Sequence, residues 1–141
     1  LGEEPGWRGF ALPRMQHRFG PLGGTLLLGF LWTGWHLPDF LTSAQGGGPG
    51  THFSAFLINF PIFLLLVSAL AVILTWIFNH TRGSIFIALL AHASVNTPQV
   101  VLVPLFPTIT ATSLNLAALI GFGVPALLII IFTRGKLGYH E

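Results

Sequence analysis

Residues 53–78 read FSAFLINFPIFLLLVSALAVILTWIF, without a single charged side chain. As a helix rising 1.5 Å per residue this stretch runs to about 39 Å, more than the roughly 30 Å of hydrocarbon in a bilayer. It is therefore read as a membrane-spanning helix, long enough to tilt. Residues 84–103 and 112–132 have the same character, and residues 22–37 form a shorter apolar stretch whose Trp32 and Trp35 suit an interfacial belt. Composition agrees: 52% of the 141 residues are hydrophobic and 7% are charged, against about 25% charged in an ordinary soluble domain. No alternation with a period of two suggests a barrel, and no internal repeat stands out. The expected fold class is all-α, a multi-pass transmembrane helical bundle of about four full crossings preceded by the end of an earlier helix.

The basic residues supply a topology. Arg14 and Arg18 precede the first apolar stretch, Arg82 separates the second from the third, and Arg134 and Lys136 follow the fourth, while the intervening loops hold no Lys or Arg. Four successive crossings predict that alternation, with residues 14–20, 79–83 and the C-terminus on the cytosolic side of a cell membrane and residues 39–52 and 104–111 facing outward. Residues 1–134 are expected to form one membrane domain and 135–141 a short cytosolic tail. The basic residues make no continuous stripe, so nucleic acid is not an expected partner. The chain has no cysteine, which removes thiolate ligands, cysteine nucleophiles and disulfides. It begins at Leu1 with no signal-peptide pattern, which is read as a start partway through a longer protein. Residues 1–13 hold Pro5, Gly6, Gly9 and Pro13 and are expected to be a kinked helix end descending to Arg14.

Few polar groups are left at membrane depth. Glu3, Glu4 and Arg8 are charged, and Glu4 and Arg8 are four residues apart, on one helical face. Burying such groups in hydrocarbon costs several kcal/mol unless they pair or line a wet cavity, so a functional role competes with a structural ion pair. Trp32 and His36 are also one turn apart, as are His92 and Asn96 in an otherwise apolar helix. Interhelical hydrogen bonding would account for both pairs without any chemistry. Glu4 is ten residues from Arg14 and His92 ten residues from Arg82, about 15 Å in helical rise, so the two could meet. His36 is eighteen residues past Arg18, nominally about 27 Å, and joins them only if its helix starts late or tilts.

A carboxylate and two imidazoles in a wet cavity have two chemistries open to them. Glu can take a proton from water while His and Asn donate to the oxyanion that develops on a scissile carbonyl. Alternatively Glu4, His36 and His92 can hold zinc, which acidifies its bound water. The compact HExxH pattern of many zinc peptidases is missing.

Taken in order, Glu3-Glu4-Pro5-Gly6-Trp7-Arg8 resembles the EExxxR motif of the CAAX protease and bacteriocin-processing family, also called the Abi family. Trp32-xxx-His36 resembles its FxxxH motif, with Trp in place of the usual Phe, and His92-xxx-Asn96 its HxxxN/D motif. The match extends from Gly2 to about Pro98. The resemblance implies a bundle of about eight helices, of which this chain holds the later half, and an intramembrane endopeptidase acting on a peptide or a lipidated, CAAX-type protein within membrane lipid. It further implies Glu4 as the carboxylate that activates water with His36 as its partner, His92 and Asn96 as the oxyanion pair, and Glu3, Arg8 and Trp32 in support. No cofactor is favoured, with zinc as the alternative. A non-catalytic scaffold or a bacteriocin self-immunity protein is the rival function; a transporter would use intramembrane charges too, but the three motifs argue against it.

Overall fold

The computed structural model describes residues 2–41, 53–101, 103–106 and 108–139, and among these every regular element is helical. A π-helical stretch, Pro5–Ala11, runs directly into α1, Leu12–Phe19. α2 is Pro21–Trp35, followed by a 3-10 turn, Leu37–Leu41. α3 spans Phe53–His80, α4 Ile85–Val101 and α5 Ala111–Thr133, with a short 3-10 turn at Val103–Leu105. The expected outward loop at 39–52 falls mostly outside the described residues.

The start of the chain departs from expectation. The Leu12 N–H donates to the Trp7 carbonyl, one residue further back than in an α-helix. Pro13 lacks the N–H that would reach the Gly9 carbonyl and its ring would press on that group, and the wider π register removes the conflict. Helix therefore continues through residues 14–19, which were read as a cytosolic segment, and the chain reverses only at Gly20, with φ of 75°. Gly24 completes the hairpin: a Cβ there would lie 2.5 Å from the Met15 carbonyl carbon and 2.6 Å from the Gln16 nitrogen. α1 and α2 approach at backbone distance because residue 24 has no side chain.

α3 is the central element, packing on α2, α4 and α5. Along it Phe63, Leu66, Val67, Ala71 and Leu74 form one buried cluster with Trp32 and Phe40. Ala69 and Val72 form another with Ala126 of α5 and Leu137. Asn59 Oδ1 accepts from Thr112 Oγ1 at 2.6 Å, tying α3 to the start of α5 by a polar bridge of the kind that links membrane helices.

α3 and α5 are long and apolar enough to cross a bilayer, over Phe56–His80 and Ala111–Thr133. α2 and α4, at 15 and 17 residues, reach roughly 22 Å and 26 Å, short of a full hydrocarbon core. α5 turns most of its surface away from the bundle, with Ile120, Ile131 and Phe132 at 69%, 65% and 80% exposure. In water such a face would be an aggregation liability, whereas in lipid it meets its own kind of solvent.

The C-terminal ends of α3 and α5 and the start of α2 come together. Beyond α5 the chain folds back so that Leu137 is buried and its carbonyl accepts from Asn79 Nδ2 at 2.9 Å, at the end of α3. Gly135 lies against Leu22 at the start of α2. Residues 135–139, expected as a simple tail, are thus packed against the helices; residues 140–141 lie outside the described part.

Candidate active site

The π-helical stretch, the C-terminal end of α2 and the middle of α4 converge on a group of polar side chains. Glu4 and Arg8 are both fully buried, one turn apart, and Arg8 Nη1 donates to Glu4 Oε1 at 2.8 Å. The same oxygen lies 2.8 Å from His92 Nδ1. An ionised carboxylate only accepts, so Nδ1 carries the proton and Nε2 is the free edge of the His92 ring. The Arg8 guanidinium lies 4.4 Å over the Trp32 ring, and Trp32 meets His92 edge-on at 5.1 Å between ring centroids. Charge, aromatic face and imidazole form one block that holds His92 from two sides.

Glu3 points elsewhere. Its Oε2 accepts from Trp32 Nε1 at 2.8 Å, and the side chain borders a cavity of about 360 Å³. Trp32, His36, Asp39, His92, Asn96 and Gln99 border the same cavity, whose apolar wall is Phe63, Leu66, Val67, Leu70, Val95 and Val100. Glu4 does not border it. Glu4 was expected at the shared cavity with His36 and His92; it does meet His92, but the adjacent residues project about 100° apart on a helix, and the carboxylate that borders the cavity is that of Glu3.

His36 caps α2, and its Nδ1 sits 2.8 Å from Asp39 Oδ2 across the 3-10 turn. Phe63 packs edge-on against its ring at 5.5 Å. Asp39 was missed in the sequence, although its spacing of three from His36 is the available signal. The depth mismatch foreseen for His36 disappears because the chain reverses at Gly20, not at Arg14 or Arg18. Gly20 is sixteen residues from Glu4 and sixteen from His36, so the hairpin brings the two ends level. Asn96, one turn beyond His92, is exposed along the cavity wall.

Glu3, Trp32, His36, His92 and Asn96 therefore share one cavity, and Glu4 and Arg8 pack behind it. A carboxylate and a free imidazole edge can share the proton of an attacking water, and His and Asn side chains can donate to an oxyanion. Among the described residues no three His, Cys, Asp or Glu side chains group as metal ligands, and Glu4 Oε1 is shared between Arg8 and the His92 N–H while Oε2 has no protein partner.

Comparison with known proteins supplies a family. The family profile described as type II CAAX prenyl endopeptidase Rce1-like matches residues 1–98, which contain Glu3, Glu4, Arg8, Trp32, His36, Asp39, His92 and Asn96. CAAX prenyl protease 2 of Methanococcus maripaludis is 30% identical over 97 residues, an alignment covering 69% of this chain and 35% of that relative. The aligned part is thus about a third of the curated relative. No solved structure matches. The chain is an integral membrane protein of the Rce1-like, type II CAAX prenyl endopeptidase family.

Proposed function

We propose that this chain carries the catalytic groups of an intramembrane endopeptidase that hydrolyses a peptide bond in a CAAX-type, lipidated substrate. The observation that carries the reading is the shared cavity: Glu3, His36, His92 and Asn96 border one space of about 360 Å³ with an apolar far wall. In this reading Glu3 takes a proton from water while His36 orients the same molecule. The water oxygen bonds to the scissile carbonyl carbon, and the oxyanion accepts from Asn96 Nδ2 and, when the His92 ring carries a proton on both nitrogens, from its Nε2–H. When the C–N bond breaks, the departing nitrogen takes up the proton held by Glu3. Phe63, Leu66, Val67 and Leu70 offer an apolar surface to substrate next to the cleaved bond. Arg8 and Glu4 act at one remove, by holding His92.

In the same reading four helices cross the membrane with the basic ends cytosolic, and the chain forms the later part of a larger bundle. Reconstitution in liposomes with a prenylated CAAX peptide tests it. Release of the C-terminal tripeptide, lost in Glu3→Gln and retained in the presence of a chelator, is the expected result. Loss on chelation with recovery on adding zinc would favour the metal chemistry instead. Undiminished activity of the Glu3→Gln protein would sink the glutamate mechanism.

A further inference from the structure

Asp39 stands outside the three motifs, yet it is fixed against the site. The 3-10 turn Leu37–Leu41 that carries it is anchored by Phe40, 6% exposed, whose ring meets Phe60 and Phe63 edge-on at 5.6 Å and 5.5 Å. Phe63 also packs on His36. The Asp39 N–H donates to the His36 carbonyl at 3.0 Å, and its carboxylate reaches back to His36 Nδ1 at 2.8 Å. One aromatic ring thus braces both the imidazole and the turn that presents the carboxylate to it.

Chemistry follows from the donor's identity. An ionised Asp39 accepts only, so it holds the His36 proton on Nδ1 and leaves the Nε2 lone pair available. Without that partner the ring can rotate about χ2 or shift its proton to Nε2, and either change removes the lone pair from the attacking water.

We propose that Asp39 is the positioning residue of His36, setting its tautomer and ring orientation for proton transfer in the cavity. The inference rests on the endopeptidase reading and deepens it. Asp39 acts through His36 and needs no contact with substrate.

The test compares Asp39→Asn, Asp39→Glu and His36→Gln in the reconstituted protein, with 15N spectra of the His36 imidazole beside the kinetics. Asp39→Asn should lower kcat about ten- to a hundredfold, the range seen when a group orienting a functional His is removed, with KM little changed. The parent protein should show a His36 pattern of protonated Nδ1 and free Nε2, and Asp39→Asn should lose it. Asp39→Glu, which keeps a carboxylate on a longer arm, should recover most of the turnover and the parent spectrum. Wild-type kcat in Asp39→Asn with an unchanged His36 spectrum would overturn the proposal and leave the endopeptidase reading standing. Full activity in His36→Gln would instead remove that reading, and the role of Asp39 with it.

Discussion

Trp32 Nε1 donates to Glu3 Oε2 at 2.8 Å, while the face of the same indole carries the Arg8 guanidinium at 4.4 Å. The side chain is 2% exposed. One residue thereby holds the cavity carboxylate through its edge and the buried ion pair through its face. Phenylalanine, the residue of the related motif, could serve only the second contact.

Trp32→Phe should separate the two. The ring contacts to Arg8 and His92 survive, but Glu3 loses a donor that orients its carboxylate. A hydrogen bond to a charged group is worth about 1.5–3 kcal/mol, and the smaller ring leaves space at a buried site, so the melting temperature should fall and turnover should drop roughly ten- to a hundredfold. Steady-state kinetics and a melting curve on one preparation decide it; unchanged kcat would show that the bond does not orient Glu3 for catalysis.

Glu3→Gln and Glu4→Gln should fail in different ways. Glu3 faces the cavity, so its amide keeps the shape and loses the base, lowering kcat by about a hundredfold or more in a folded protein. Glu4 is fully buried between Arg8 and His92, and removing its charge leaves the guanidinium without a counterion. Breaking a buried pair in this way costs about 3–5 kcal/mol, so the melting temperature should drop steeply. If Glu4→Gln were stable and inactive while Glu3→Gln kept its activity, the two carboxylates would have to be reassigned.

The hairpin turns on a glycine. A Cβ at position 24 would sit 2.5 Å from Met15 backbone, so Gly24→Ala must push α1 and α2 apart. Overpacking of this kind costs about 1–3 kcal/mol, and because the hairpin brings Glu3 level with His36, activity should fall together with stability. Gly34→Ala, with open space around its Cβ direction, is the control and should melt within about 0.5 kcal/mol of the parent.

Topology can be read by labelling. Single cysteines replacing Thr81, beside the basic Arg82, and Thr108, between α4 and α5, should react from opposite faces of sealed vesicles. Reaction of both from one side would mean that α4, only 17 residues long, does not carry the chain across.

Much of this protein was legible in one dimension. Long uncharged runs specify membrane helices because lipid leaves the backbone no partner but itself. Charged and polar residues spaced by four declare themselves because little else at membrane depth is polar, and Glu4–Arg8, Trp32–His36 and His92–Asn96 all belong to the group that the fold assembles. The order of the adjacent carboxylates was not legible. Glu3 and Glu4 are chemically identical in sequence, and only the rotation of the π-helical stretch against α2 and α4 decides that Glu4 is sealed between Arg8 and His92 while Glu3 meets the cavity. The reversal at Gly20 was hidden as well, since prolines and arginines at 13, 14 and 18 resemble a loop until packing against α2 makes them a helix. Asp39 came to light only in three dimensions for the same reason: a 3-10 turn, held by Phe40 in an aromatic cluster, brings its carboxylate back onto His36, and no pattern along the chain encodes where a turn so short will point.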